Sequence, residues 1–578
     1  MTNALKHQNP EWITPKIDLE WQAAIVKEFN IHPVIAQVLI SRGFKNFDDI
    51  NSYLYAKLPN LLDPSLFGDM PKAVDRVCLA LKNKETVLIF GDNDVDGITG
   101  TTLLVEFLRY IGIHTLFLVA NRNSPNQGIL SEAKKYALKN NCSLLITVDC
   151  GVTAGDEIED FTKNNIDVIV TDHHEPTAEL PHCIATLNPK LLDNTYPNRE
   201  LTGVGVAFKL AHAVANELIK NKELCSLKLD LKRYLDLVAF GTIADMGSLI
   251  GENRILVRYG LKQLKKTKRI GLAKLLEVCE VSGPGITTTD IASKVAPRLN
   301  SLGRIADPIK GVELLLIRDP ISAEALAKEL DLNNIERQRI ERKDSEDVED
   351  YIRTHPEILD NKAIVLHSSK WHPGIIPIIT ARIAKQYNRP TAIIAVENGI
   401  GKGSMRTIPE FPLLQTLREN ASLLINFGGH DFAAGLSIEE KNIEMFSKNF
   451  IEAVNKTLKE TDLIPKLHLD AKVDFEDVTF DFLESLHLLE PFGTENPPPI
   501  LYSEAIQTWP PKIVGKIHLK LYLEQHDRVL EGIAFGLADR RHEILRKNIK
   551  LRIAFTPYVN TFLNKSSIQL LIKDFKEV

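Results

Sequence analysis

Four short runs of branched aliphatic residues between positions 86 and 171 constrain this chain more than anything else in it. They are TVLIFG (86–91), HTLFLV (114–119), SLLITV (143–148) and IDVIVT (166–171), separated by segments of helical period such as ITGTTLLVEFLRYIG. Runs this short, apolar almost throughout rather than at alternate positions, read as parallel strands buried on both faces and joined by crossover helices. The class is therefore α/β with a parallel sheet, and open sheets of that kind bind ligands beyond the carboxyl ends of their strands.

The polar residues at those ends carry the chemistry. The first run continues into GDNDVDG, which places Asp92, Asp94 and Asp96 directly after a strand, with Gly97 allowing a tight turn. Three carboxylates this close repel one another unless a cation sits among them. The same spacing opens a calcium-binding helix-loop-helix. Here, however, the twelfth loop position is Leu103 rather than a bidentate Glu, and a strand precedes the loop. The third run ends at Asp149 in VDCG, and the fourth at Asp172, His173 and His174 in TDHH. A lone buried His is usually a satisfied core residue. Two in tandem after an acid, in register with two other acidic strand ends, point to a ligand cluster. Downstream, YLDLVAFGTIAD sets Asp236 and Asp245 in an apolar helical stretch, where a buried carboxylate needs a partner or a metal. Carboxylates with imidazoles and without thiolates suit Mn²⁺ or Mg²⁺ better than structural zinc.

The rest of the chain divides by composition. Residues 1–75 read as a helical N-terminal segment closed by the Pro, Asp and Gly of LPNLLDPSLFGDMP, and 76–320 as the first α/β body, mainly helical after 200. Residues 321–355 hold a stretch without Gly or Pro whose apolar residues thin out after Leu332. This predicts a long exposed helix bridging two bodies. A second α/β body follows over 356–462, with AIVLHS and TAIIAV as strands around a helix near 374–387. Over 463–578, alternating runs such as KIHLKLYLEQ and IKLRIAFTPYV predict a small β-barrel.

Charge and cysteine usage narrow the function classes. The net charge is −6, from 70 basic and 76 acidic residues, yet residues 501–578 hold 13 Lys and Arg against 8 Asp and Glu. A basic tail on an acidic body permits nucleic-acid contact through the tail, although the excess reads equally as a solvated face. No stretch approaches the roughly 18 apolar residues of a membrane helix, and the opening residues lack the order of a signal peptide, so neither a membrane nor a secreted protein is expected. The six cysteines include no CxxC pair, which suits a reducing cytoplasm.

DNDVDG, VDCG, TDHH and YLDLVAFGTIAD resemble the four ordered motifs of the DHH phosphoesterase superfamily. The chain as a whole resembles the RecJ family of bacterial single-strand-specific exonucleases within it. LTGVGVAFKL, VAPRLNSLGRIADP, SKWHPGIIPIITARIA, GKGSMRTIPEF and FGGHDFAAGLSI carry the resemblance further, the last as the glycine-rich signature of the DHH-associated (DHHA1) domain. It implies a parallel-sheet DHH domain joined by a long helix to a DHHA1 domain, with a C-terminal OB-like barrel. It also implies a pair of divalent cations, Mn²⁺ or Mg²⁺, held by Asp94, Asp96, Asp149, His173 and Asp236, with Asp149 bridging, and with Asp92 and His174 beside them in catalytic roles. Such a pair clamps the attacking and leaving oxygens of a phosphoryl displacement.

DNA contacts implied in the same way fall on Arg122, Arg298, Asn300, Arg304, Arg406, Gly428, Gly429 and His430. In the barrel, Lys516, His518 and Lys520 alternate and so would share one strand face; the same lysines would also protect an edge strand. Arg382 reads as readily as a structural helix arginine. The chain departs from the family's pattern at NRNSPNQGIL, where Asn126 and Gln127 precede Gly128, and at IIPIIT, which carries Pro377.

The resemblance implies a cytoplasmic monomer that hydrolyses single-stranded DNA from 5′ to 3′ in repair and recombination, with single-strand-binding protein and a helicase as partners. Two alternatives stand beside it. A small-substrate phosphoesterase shares the motifs but has no evident need of a basic barrel, and a DNA-binding scaffold on a decayed nuclease fold would be expected to lose ligands.

Overall fold

The computed structural model describes residues 9–121, 130–177, 179–221, 229–281, 283, 285–546, 548–562 and 565–578. The chain forms two compact units. One comprises residues 57–458 and 493–496; the other is assembled from residues 1–56, 459–492 and 497–578.

In the first unit, β1 (Thr86–Gly91), β2 (His114–Val119), β3 (Leu144–Val148), β4 (Asp167–Thr171) and β5 (Ala185–Leu187) make a parallel sheet ordered β2-β1-β3-β4-β5. Four of these are the expected runs. The fifth, at three residues, is too short to show a period. Beside β1 the strand order reverses, which opens a crevice at the carboxyl ends. Gly91, Val148 and Thr171 stand in register, and the ladder continues one residue further. Asp92 N–H donates to Val148 O (3.1 Å), Asp149 N–H to Thr171 O (2.8 Å) and Asp172 N–H to Leu187 O (3.0 Å). The acids that end three strands are thereby held at one level.

Four helices complete the site's frame: α1 (Val95–Ile111), α2 (Gly203–Lys220), α3 (Leu235–Ala244) and α4 (Ala296–Ile305). Ile98 and Leu104 of α1, Val204 of α2 and Val238 of α3 share the core under the sheet. Because α1 is buried nearly all round, its Thr99 and Thr102 hydroxyls donate to Val95 O and Ile98 O, each at 2.8 Å, satisfying polar groups that water cannot reach.

The predicted bridging helix is α5 (Pro320–Thr354), 35 residues long, with Asp319 as N-cap accepting from Ser322 N–H. At 1.5 Å per residue it spans about 52 Å. It is not simply exposed. Ala327 and Leu330 join the first core, and Val348 and Ile352 join a second. The thinning of apolar residues after Leu332 marks the stretch between these cores. Beyond it, β6 (Ile364–Ser368), β7 (Thr391–Glu397), β8 (Ile400–Arg406), β9 (Leu424–His430) and β10 (Ala433–Glu439) form a sheet ordered β9-β10-β8-β7-β6. Only β6 and β7 pair in parallel, across helix α6 (Ile376–Tyr387).

The second unit holds the barrel. Its strands are β11 (Ala471–Lys472), β12 (Leu501–Gln507), β13 (Lys512–Val514), β14 (His518–Gln525), β15 (Arg528–Ala534), β16 (Ile549–Phe562) and β17 (Lys565–Glu577), ordered β11-β12-β16-β17-β15-β14-β13. A β12–β14 pairing closes the ring. The expected boundary at residue 75 moves. Helices Leu19–Phe29, Pro33–Ser41 and Phe47–Tyr55 bury Ile25, Ile35 and Leu54 in the same core as Leu551 and Phe575. Residues 11–13 pair with 466–468, and Arg42 Nε lies 3.4 Å from Asp470. Residues from 57 onward belong to the first unit, so the Pro- and Asp-rich stretch lies inside a body rather than between two. Among the described residues no single helix is long and apolar enough to cross a membrane.

Candidate metal centre

Asp92, Asp94, Asp96, Asp149, His173 and His174 converge at the carboxyl ends of β1, β3 and β4. Their ligand atoms, with those of Asp245, form three overlapping groups, each with all atoms within 4.8 Å of one another. The groups are Asp92, Asp94 and Asp149; Asp149, His173 and His174; and Asp96, His173 and Asp245. Asp149 and His173 are each shared between two groups. His173 Nε2 lies 3.0 Å from Asp149 Oδ1 and 3.9 Å from both Asp96 Oδ2 and Asp245 Oδ2.

The local backbone explains this convergence. Asp94 caps α1, its Oδ1 accepting from Asp96 N–H and Gly97 N–H. Asp96 in turn takes the first N–H groups of α2, from Gly203 (2.6 Å) and Val204 (3.0 Å), so a helix N-terminus stabilises its charge. Asp149 sits in left-handed backbone at φ +61°, rare outside glycine. A Cβ on Gly203 would stand 2.6 Å from Asp149 Oδ1, and one on Gly241 2.3 Å from Thr99 Oγ1 and 2.8 Å from Asp96 Oδ1. Two helices thus press their glycines against the acids. Asp172 holds the histidine pair. Its Oδ1 accepts from His173 N–H (2.7 Å) and His174 N–H (3.0 Å) and lies 2.8 Å from His174 Nδ1.

The electrostatics are those of an uncompensated acidic pocket. Burial and then the Asp94 charge raise Asp96 to about 7. Burial and the neighbouring carboxylates raise Asp149 and Asp245 well above the usual carboxylate range. Burial, followed by the His174 charge, depresses His173 to about 3, which leaves a neutral imidazole. Burial works against the charge of His174, but the Asp172 hydrogen bond and the surrounding aspartates outweigh it and hold that ring up at about 9. Asp149 Oδ1 is buried and takes no hydrogen bond among the described residues. An orphaned carboxylate oxygen at the centre of mutually repelling acids, with a neutral imidazole 3.0 Å away, fits a divalent cation.

One expected ligand is elsewhere. Asp236 accepts from Thr267 Oγ1 (2.8 Å) and Arg269 Nε (3.1 Å) in a cavity of about 830 Å³ bounded by Glu106 and Tyr234, and Asp245 takes its place in the cluster. The reason is helical geometry. The two acids are nine residues apart along α3, about two and a half turns, so they point to opposite sides. That spacing was the available signal. Lys190 and Asn188, just past β5, are further residues the sequence reading missed. Asn188 Nδ2 donates to His174 O (2.9 Å), and Lys190 acts electrostatically on His173 and His430.

Several predicted DNA contacts are engaged with the protein itself. Arg298 pairs with Asp331 at 2.9 Å, Asn300 Oδ1 accepts from Val95 N–H at 3.1 Å, and Arg304 Nη1 donates to Gly374 O at 2.7 Å. Arg406 is partly buried and donates to Met405 O. Its β8 position pairs with Ala433, which also pairs with His430 of β9. Burial, then Lys190 and His174, lowers the pKa of His430, which places this hairpin within electrostatic reach of the cluster. Gly428 is open, while a side chain on Gly429 (φ +141°) would meet Ala433 O. Arg382 lies 3.3 Å from Glu349, a structural contact. Arg122, with Asn126, Gln127 and Gly128, lies outside the described residues. In the barrel, His518 and Lys520 lie on β14, but Lys516 stands in the preceding turn at φ +71°. The three therefore do not form one strand stripe, and Lys520 pairs with Glu531 at 2.9 Å.

Comparison with known proteins places this geometry. The family model for the DHH family, N-terminal domain, matches residues 86–242, that for the DHHA1 domain matches 360–459, and that for the RecJ OB domain matches 469–574. Fold and strand-end cluster thus define a DHH-class protein. The single-stranded-DNA-specific exonuclease RecJ of Bacillus subtilis is 33% identical over 97% of this chain and 70% of its own length. The RecJ of Dickeya dadantii is 32% identical over 93% and 95%. The crystal structure of RecJ in complex with Mn²⁺ from Thermus thermophilus superposes with a TM-score of 0.82 at 26% identity, covering 98% of this chain and 80% of that one. The chain belongs to the RecJ family.

Proposed function

We propose that the protein is a metal-dependent exonuclease that hydrolyses single-stranded DNA, 5′ to 3′, in DNA repair and recombination. The observation that carries this reading is the buried, unbonded Oδ1 of Asp149 among acids raised by mutual repulsion. Asp94, Asp96, Asp149, His173 and Asp245 would hold two divalent cations, Mn²⁺ or Mg²⁺, with Asp92 beside them. Such ions lower the pKa of bound water and neutralise charge on a phosphodiester. His173, kept neutral, offers a nitrogen lone pair. His174, kept protonated through Asp172, offers a cationic donor to developing negative charge. Arg406 and His430 would approach the phosphate from the second sheet, and the barrel would contribute contacts to single-stranded DNA. Its setting would be the cytoplasm, as a monomer working with single-strand-binding protein and a helicase. The single-stranded-DNA specificity of the related exonucleases supports DNA over a small-substrate phosphoesterase.

The test is digestion of single-stranded DNA, blunt duplex and single-stranded RNA labelled at either end, with Mn²⁺, Mg²⁺ or chelator. Stepwise, metal-dependent loss from the 5′ end of single-stranded DNA is expected, reduced at least about 100-fold in Asp149→Ala. DNA binding without digestion would favour the scaffold. Turnover of only the shortest oligonucleotides would favour the small-substrate enzyme.

A further inference from the structure

We propose that Asn300 is a positioning residue for the acidic loop after β1, and that α4 braces that loop against the 371–374 turn of the second α/β body. The inference rests on the reading of the loop as a cation site. The first turn of a helix presents N–H groups that lack intrahelical partners. At α1 these donors are divided between two side chains. Asp94 Oδ1 accepts from Asp96 N–H (3.0 Å) and Gly97 N–H (3.1 Å), while Ile98 N–H is satisfied by Asp94 O. The remaining donor, Val95 N–H, goes to Asn300 Oδ1 at 3.1 Å, a side chain 205 positions along the chain. Capping therefore occupies one oxygen of Asp94 and leaves the other for a cation.

The contacts continue along α4. A Cβ on Gly303 would stand 2.6 Å from Asn93 O, so helix and loop are in direct backbone contact. Arg304 Nη1 donates to Gly374 O (2.7 Å), Gly374 N–H to His372 Nδ1 (3.1 Å), and His372 N–H to Asp344 Oδ2 of α5 (2.9 Å). An unbroken run of short contacts thus joins the long helix and the second body to the loop bearing Asp92, Asp94 and Asp96. In this arrangement the amide of Asn300 serves the loop rather than the DNA expected from the pattern RLNSLGR.

The experiment uses the full chain, freed of metal and titrated calorimetrically with MnCl₂. Asn300→Leu keeps the size and removes the acceptor, so Val95 N–H competes for Asp94. Mn²⁺ binding should weaken about tenfold. Asn300→Asp restores an acceptor and should return affinity to within about threefold of the parent protein. On labelled single-stranded DNA the leucine variant should lose kcat about tenfold with KM for DNA unchanged. Should it fail to fold, Asn300→Ser, too short to reach Val95, carries the same prediction. Unchanged Mn²⁺ affinity in the leucine or serine variant overturns the proposal, as does a raised KM with affinity intact, which would make Asn300 a DNA contact. If the parent chain binds no Mn²⁺, the cation-site reading fails and the proposal falls with it.

Discussion

The acids of the cluster hold protons that free carboxylates would have lost, and stability should report this. Asp96 titrates at about 7 in the folded chain against an ordinary 3.8, and His174 at about 9 against 6.5, so the folded state binds more protons than the unfolded one above pH 6.5. Stability must then fall as pH rises through that window. His173, lowered to about 3, works in the opposite sense, but only below pH 6.5. Calorimetric melting in EDTA should show a declining Tm from about pH 6.5 to 9, and saturating Mn²⁺ should remove most of the decline by about 2.7 kcal/mol of binding at 100 times Kd. Asp236 and Asp245 should respond oppositely. Asp236→Ala strips Arg269 of a buried partner and should cost about 3 kcal/mol of stability with Mn²⁺ affinity unchanged. Asp245→Asn should weaken Mn²⁺ at least about tenfold and leave the EDTA melt intact or raised. At this scale the sequence was legible where acids follow strands, since strand ends fix direction. It was ambiguous within YLDLVAFGTIAD, because both acids lie on one apolar helix and only its phase separates them.

Whole elements aim these side chains. The N-terminus of α2 supplies two N–H groups to Asp96 while its first glycine lies against Asp149. One added methyl at that point must move either the helix or the acid. Gly203→Ala should therefore reduce turnover about 100-fold, as a displacement near 1 Å does, with a far smaller loss of Tm; paired kinetics and melting curves check this. The strands of the first sheet were readable because burial on both faces leaves a continuous apolar run. The barrel strands were readable because one buried face leaves alternation. β5 escaped notice through brevity. The burial along α5 escaped because its two apolar stretches meet different cores, so no single stripe runs its length.

At the scale of the molecule, composition gave the order of bodies along the chain but not their grouping. Hydrophobic helices at 19–55 look like any small domain, and nothing local says that their partner faces lie beyond residue 459. Only tertiary packing, with Ile35 and Phe575 in one core and Arg42 on Asp470, joins them. The barrel unit is thus written in three pieces, with residues 57–458 between the first and the other two. A ribosome adding roughly 5–20 residues each second makes the first piece about 20–80 s before its complement exists. During that interval Ile25, Ile35, Val38 and Leu54 have no finished core to enter, so the nascent chain carries a sticky amphipathic segment while the nuclease body folds behind it. Chaperone occupancy in the cell should concentrate on these first helices.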